Sequence, residues 1–147
     1  VGVLVPRAFE QFLRADHPAF GGTEVNITIR RRLPDRFFAD VVDAAGYGFT
    51  GVLRRAVVDE DARTYTIYPL IEYCDDTVKP QHVVTWADLA RAMGELMQPG
   101  AQIGNHIREA IIAAVTDPDP AGDAGAIDAE VAACIVQQAA WGEVIFG

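Results

Sequence analysis

The sequence predicts an α+β domain: a small antiparallel sheet of about three strands, helices packed on one face, and an all-helical C-terminal half. Two observations predict it. Period-two alternation of apolar and polar residues is confined to the first half of the chain. Helical spacing takes over after residue 85. Strands in one block followed by helices in another are the pattern of α+β folds. No internal repeat or long linker divides the chain, so residues 1–147 read as one domain.

The elements follow in order. After Pro6, "RAFEQFLRAD" places Phe9, Phe12 and Leu13 on one helical face. "HPAFGG" (17–22) breaks that helix. "TEVNITIRRRL" (23–33) alternates, with Val25, Ile27 and Ile29 opposite Glu24, Asn26, Thr28 and Arg30, as in a half-buried strand. Pro34 ends it. "PDRFFADVVDAAG" (34–46) has Phe37, Phe38, Val41, Val42 and Ala45 at helical spacing, and Gly46 reads as the helix stop. "GVLRRAVVD" (51–59) and "RTYTIYPLIEY" (63–73) read as strands of a hairpin, joined by "EDA" (60–62). Pro69 points to an edge or a bulge. "HVV" (82–84) adds a short strand. Thr85 with Asp88 nearly forms a capping box for a helix whose buried stripe is Leu89, Met93, Leu96 and Met97. A second helix over 101–116 buries Ile103, Ile107, Ile111 and Val115. A Pro- and Gly-rich loop (116–126) follows. Asp128 then caps a last helix with Val131, Ala132, Ile135, Val136 and Ala139 inward. That helix is apolar nearly all round, as expected at the centre of a fold or between chains.

Composition removes several functions. No apolar run approaches the roughly 20 residues of a membrane helix, and no signal peptide is visible, so we expect a cytoplasmic protein without a membrane partner. The chain opens on Val1, and the natural start is expected upstream. Net charge is −9. Residues 1–73 carry −1 and residues 74–147 carry −8. Such a chain is a poor partner for DNA, whose binding rests on neutralising phosphates with cations. The 11 Arg and one Lys concentrate in the first half, most densely in "IRRRL" (29–33). Cys74 and Cys134 lack metal spacing and read as reduced thiols, Cys134 in the core.

The chemistry-bearing residues are sparse. There is no serine, so serine-nucleophile hydrolysis is impossible. His17, His82 and His106 lie far apart. "AAGYGFTG" (44–51) suggests a phosphate loop, but it follows a helix instead of preceding one. Anions bind at helix N-termini, and a C-terminus repels them. Its glycines therefore read as backbone geometry, with Tyr47 and Phe49 free to cap the core or stack on a partner. Asp75 and Asp76 at a strand end could serve acid–base or Mg2+ chemistry, although no third ligand is evident. Arg30 and Arg32 on one strand, with Arg54 and Arg55 on a neighbour, suit phosphate-bearing or acidic partners.

The ending "DAEVAACIVQQAAWGEVIFG" (128–147) resembles a family of small proteins of phages and mobile elements for which no activity is established. Asp128, Ala129, Ala132, Gln137, Ala139, Trp141, Gly142, Glu143, Phe146 and Gly147 fit its last helix and tail. Ala133 and Gln138 depart from it. "AGYGFTG" and "VTWADLARAMGELM" are similar to its glycine segment and middle helix. The resemblance covers roughly residues 24–147. It implies an accessory protein of a phage or mobile element, with an anti-defence role as the natural expectation; we read the chain as non-enzymatic, binding a host protein or a small nucleotide-like ligand without a cofactor. We place the binding surface on Arg30, Arg32, Tyr47, Phe49, Arg54 and Tyr65 and expect a homo-oligomer. Two alternatives stand beside it: a sponge for cyclic nucleotides in an Arg/aromatic pocket, and an enzyme using Asp75 and Asp76.

Overall fold

The computed structural model describes residues 2–5, 29–118 and 127–147. The helix expected after Pro6, residues 23–28 of the first strand, His17 and most of the 116–126 loop lie outside the described residues.

The chain is α+β, with a three-stranded antiparallel sheet, a separate two-stranded ribbon and four helices among the described residues. The ribbon pairs β1 (Gly2–Val5) with β2 (Ile29–Arg32), Val3 opposite Arg31 and Gly2 opposite Arg32. Val3 is buried and the Arg31 guanidinium donates to the Val115 carbonyl at 2.6 Å. Alternation then puts Arg30 and Arg32 on the other, exposed face. β1 has no expectation to match. Four residues carry too little periodicity to announce a strand whose partner lies far along the chain.

Helix α1 (Asp35–Gly48) buries the five residues its spacing predicts: Phe37, Phe38, Val41, Val42 and Ala45. It runs past Gly46, which corrects the expected stop. The helix ends instead at Phe49, whose N–H bonds the Ala45 carbonyl, and Gly51 takes φ +82° in the turn that follows. That turn leads to β3 (Leu53–Asp59), which hairpins onto β4 (Thr64–Pro69). In the hairpin loop the Ala62 N–H donates to Asp59 Oδ1, and Arg63 adopts φ +56°. Pro69 sits at the end of the middle strand, opposite Leu53, where the register shifts between Leu53 and Arg55. Of the two readings of Pro69, the edge strand is corrected, because β4 lies between β3 and β5, and the bulge is present on the strand that faces it.

β5 (His82–Thr85) completes the sheet in the order β3-β4-β5. Tyr65, Ile67 and Val84 are buried on one face, and Thr66 and Val83 look outward. The described helices thus cover one face of this sheet. Helix α2 (Trp86–Leu96) starts at a full capping box: the Asp88 N–H donates to Thr85 Oγ1, and the Thr85 N–H donates to Asp88 Oδ2, each at 3.0 Å. Its Trp86 stacks on Phe38 of α1. Helix α3 (Asn105–Thr116) begins later than expected, because Arg108 bonds the Pro99 and Ala101 carbonyls and holds that segment as a turn. Ile107, Ile111 and Val115 are buried, while Ile103 precedes the helix and is half-buried.

Helix α4 (Ala129–Trp141) is capped by Asp128, which accepts from the Val131 N–H at 2.9 Å. Residues 131–137 are buried without a break. The helix packs between α1 and α2 and is the centre of the fold. Burial inside its own chain explains its apolar girth.

Candidate functional site

The ribbon and α2 line an open groove of about 790 Å3. Gly2, Arg30 and Arg32 form its ribbon wall. Ala87, Ala90 and Gly94 give the facing helix a small-residue surface, and Arg91, Glu95 and Gln98 supply its polar rim. Strand alternation explains the ribbon wall: with Val3 and Arg31 turned into the core, Arg30 and Arg32 face the open side together. Helical spacing explains the other wall, since Ala87, Ala90, Arg91 and Gly94 lie three and four residues apart.

The electrostatics favour an anion. Arg30 and Arg32 are exposed and pair with no acid among the described residues. Arg91 is braced by Glu95 at 3.3 Å, by Asp88 at 3.5 Å and by the Ala139 carbonyl at 3.2 Å. Glu95 also accepts from Gln138. Three guanidiniums therefore line a cavity with one carboxylate already engaged. Guanidinium forks match the oxygens of phosphate and carboxylate in pairs.

The structure brings Arg30 and Arg32 together and separates the other expected binding residues from them. Tyr47 is exposed (76 %) on the last turn of α1. Phe49 is buried (2 %) in the core, which corrects its assignment to a binding surface. Tyr65 is likewise buried, on the covered face of β4. Desolvation, with Asp43 nearby, pushes its hydroxyl up to about 12. Arg54 lies on the three-stranded sheet, where it and Arg55 both stand over the Tyr68 ring, at 5.2 and 5.4 Å. The bulge lets two consecutive side chains reach the same ring. Arg91 went unnoticed in the sequence because the ribbon it faces is distant along the chain. Its Asp88 and Glu95 neighbours at helical spacing suggest only an ordinary surface network.

The glycine stretch resolves into two tasks. A Cβ on Gly48 would lie 2.8 Å from Ala133 Cβ and closer still to the Ala129 carbonyl oxygen. Gly48 therefore admits the start of α4 against the end of α1. Gly51 supplies the left-handed turn. Gly46 meets nothing within 4 Å.

Asp75 closes a turn instead of facing a cleft. Its Oδ1 accepts from the Thr77 and Val78 N–H groups, both at 2.8 Å. Those bonds, foremost, hold its carboxyl below the usual range, the wrong direction for a general acid. Asp76 is exposed beside it. His82 is engaged elsewhere: its Nε2 accepts from the Lys79 N–H at 2.8 Å and from Trp141 Nε1 at 3.0 Å. Among the described residues no three His, Cys, Asp or Glu side chains group to hold a metal.

The distinctive ending has a structural explanation. Gln137 is buried (1 %) and clamps the tail: its Oε1 accepts from Ile145 and Phe146, and its Nε2 donates to the Phe146 carbonyl, at 2.7–2.8 Å. Gly142 takes φ +75° to turn the chain back toward that clamp. Trp141, Phe146 and Tyr73 form a run of edge-to-face rings, and Trp141 reaches His82. Gln, aromatic, Gly and aromatic at this spacing are the parts of a tail latch. No protein-family model, curated protein or solved structure matches the chain.

Proposed function

We propose that the protein binds a small anionic ligand, phosphate-bearing and nucleotide-like, in the groove between β1–β2 and α2. The observation that supports this reading is the pairing of Arg30 and Arg32, without acidic partners among the described residues, with the braced Arg91 around one cavity. Its volume falls within the several hundred Å3 usual for small-molecule sites. The paired guanidiniums, more than the shape of this open groove, favour a small anion over a host protein. No aromatic side chain lines it among the described residues, so the ligand is held by its charge more than by base stacking. The nucleotide-sponge alternative keeps its arginines and loses its aromatic wall. An enzyme at Asp75 and Asp76 draws no support from a carboxylate committed to a turn. The wider reading, a cytoplasmic accessory or anti-defence protein of a phage or mobile element, rests on the resemblance of the ending.

The test is thermal shift and calorimetry at low salt with pyrophosphate, mononucleotides and cyclic dinucleotides. A ligand at a hundred times its Kd adds about 2.7 kcal/mol of stability. We expect such a shift for at least one of them, weakened by salt and removed by Arg30→Gln with Arg32→Gln. A shift that survives the double substitution, or none with any of these anions, refutes the groove as the site.

A further inference from the structure

β3 is an edge strand: it pairs with β4, and among the described residues no strand pairs on its other side. Residues 54–59 are all exposed, so both faces and the edge stand open. Val57 and Val58 are 36 % and 43 % exposed. A long, open apolar edge is a template for another strand. The charge pattern says which one. Arg54 and Arg55 precede Ala56, Val57 and Val58, and Asp59, Glu60 and Asp61 follow them. Turned end for end, this strand is its own electrostatic complement.

Geometry narrows the register. In an antiparallel ladder, directly opposite residues either both aim their peptide groups at each other or both aim them away. The peptide groups still open on β3 belong to every second residue. Two copies of one strand can therefore pair only with a residue on the two-fold axis. With Ala56 on the axis, Arg55 meets Val57. With Val58 there, Val57 meets Asp59. With Val57 there, Ala56 meets Val58 and Arg55 meets Asp59, each twice. Only this last register matches apolar with apolar and Arg with Asp. The bulge also brings Arg54 to the side of Arg55, near the acidic turn of the second copy.

We propose that two copies of this chain associate through β3, antiparallel, with Val57 on the two-fold axis, to form one six-stranded sheet. Val57, Thr66 and Val83, which are cross-strand partners in each copy, then line up across its outer face. No residue of β3 lines the arginine groove, so this interface goes beyond the ligand-binding reading and stands without it.

Analytical ultracentrifugation of the full chain tests it. We expect a species of twice the 15.9 kDa chain mass. Arg55→Glu places like charges opposite each other twice and should raise the dimer dissociation constant at least tenfold. Asp59→Arg should do the same. Mixing the two variants, or combining them in one chain, restores opposite charges at every pair and should restore association. Circular dichroism melts confirm that each variant folds. Should Asp59→Arg fail there, because Asp59 holds the Ala62 N–H, Val57→Cys in a Cys74→Ala background carries the test. Oxidation should then give a covalent dimer, since axial residues face each other directly. A monomer at tens of micromolar, a dimer indifferent to Arg55→Glu, or no Val57→Cys cross-link overturns the proposal.

Discussion

Replacing Gly48 with alanine should destabilise the protein, and replacing Gly46 should not. Both glycines lie within α1, two residues apart, so helix propensity treats them alike: each Gly→Ala change gains up to about 1 kcal/mol. Their surroundings differ. At Gly46 a new methyl group meets nothing within 4 Å. At Gly48 it meets Ala133 Cβ at 2.8 Å and runs into the Ala129 carbonyl. Backbone cannot step aside as a flexible side chain can, so α1 and α4 must part. Overpacking of this kind costs about 1–3 kcal/mol, occasionally more. Against the propensity gain, Gly48→Ala should lose about 1–2 kcal/mol and Gly46→Ala should gain about 0.5–1 kcal/mol. For a chain of this size that separates the two melting temperatures by roughly 4–10 °C. Urea denaturation followed by circular dichroism gives the comparison at constant m-value. Equal midpoints for the two variants would refute the close approach of α4 to Gly48.

Three further outcomes are expected. Gln137→Leu removes three bonds to the tail, each worth about 1 kcal/mol. It should cost about 2–3 kcal/mol and speed hydrogen exchange at Ile145 and Phe146; wild-type protection there would sink the clamp. His82 accepts two bonds at Nε2, which requires the neutral imidazole, and burial, then Lys79, lowers its pKa below 6.5. Its contribution is therefore complete above pH 6.5 and lost as pH falls through the lowered folded value. The lead of wild type over His82→Phe in urea midpoint should narrow between pH 7.5 and 5; a constant lead contradicts this. Burial, then Glu130 and Asp128, pushes the Cys134 thiol up to about 11, whereas Cys74 is half-buried. Ellman's reagent at pH 8 should titrate one thiol per native chain and a second only on unfolding; two fast thiols refute that placement.

Local signals made most of the fold legible. The buried stripe of α1, the Thr85–Asp88 box and the Asp128 cap all lie within a few residues of what they determine. The failures lie where distant contacts decide. α1 passes Gly46, which meets nothing, and the glycine that α4 requires is Gly48, where its approach leaves no room for a side chain. β1 exists because β2 pairs with it. The site divides in the same way. Arg30 and Arg32 were readable from alternation along one strand. Which face of β4 carries Tyr65 inward depends on the helices behind it, and Phe49 is drawn inside by the turn that follows α1. The groove itself has walls from the start of the chain and from a helix near its middle, so neither segment announces it.

The tail latch also gives the protein two separate optical reporters. Trp86 lies in the core against Phe38, and Trp141 lies at the latch with its indole N–H on His82. An imidazolium quenches a neighbouring indole more strongly than a neutral imidazole does. Emission from Trp141 should therefore dim on acidification while Trp86 still reports an intact core. With Trp86→Phe and Trp141→Phe variants, release of the last residues and collapse of the core become two curves. Their coincidence or separation measures how far the tail shares the cooperativity of the whole.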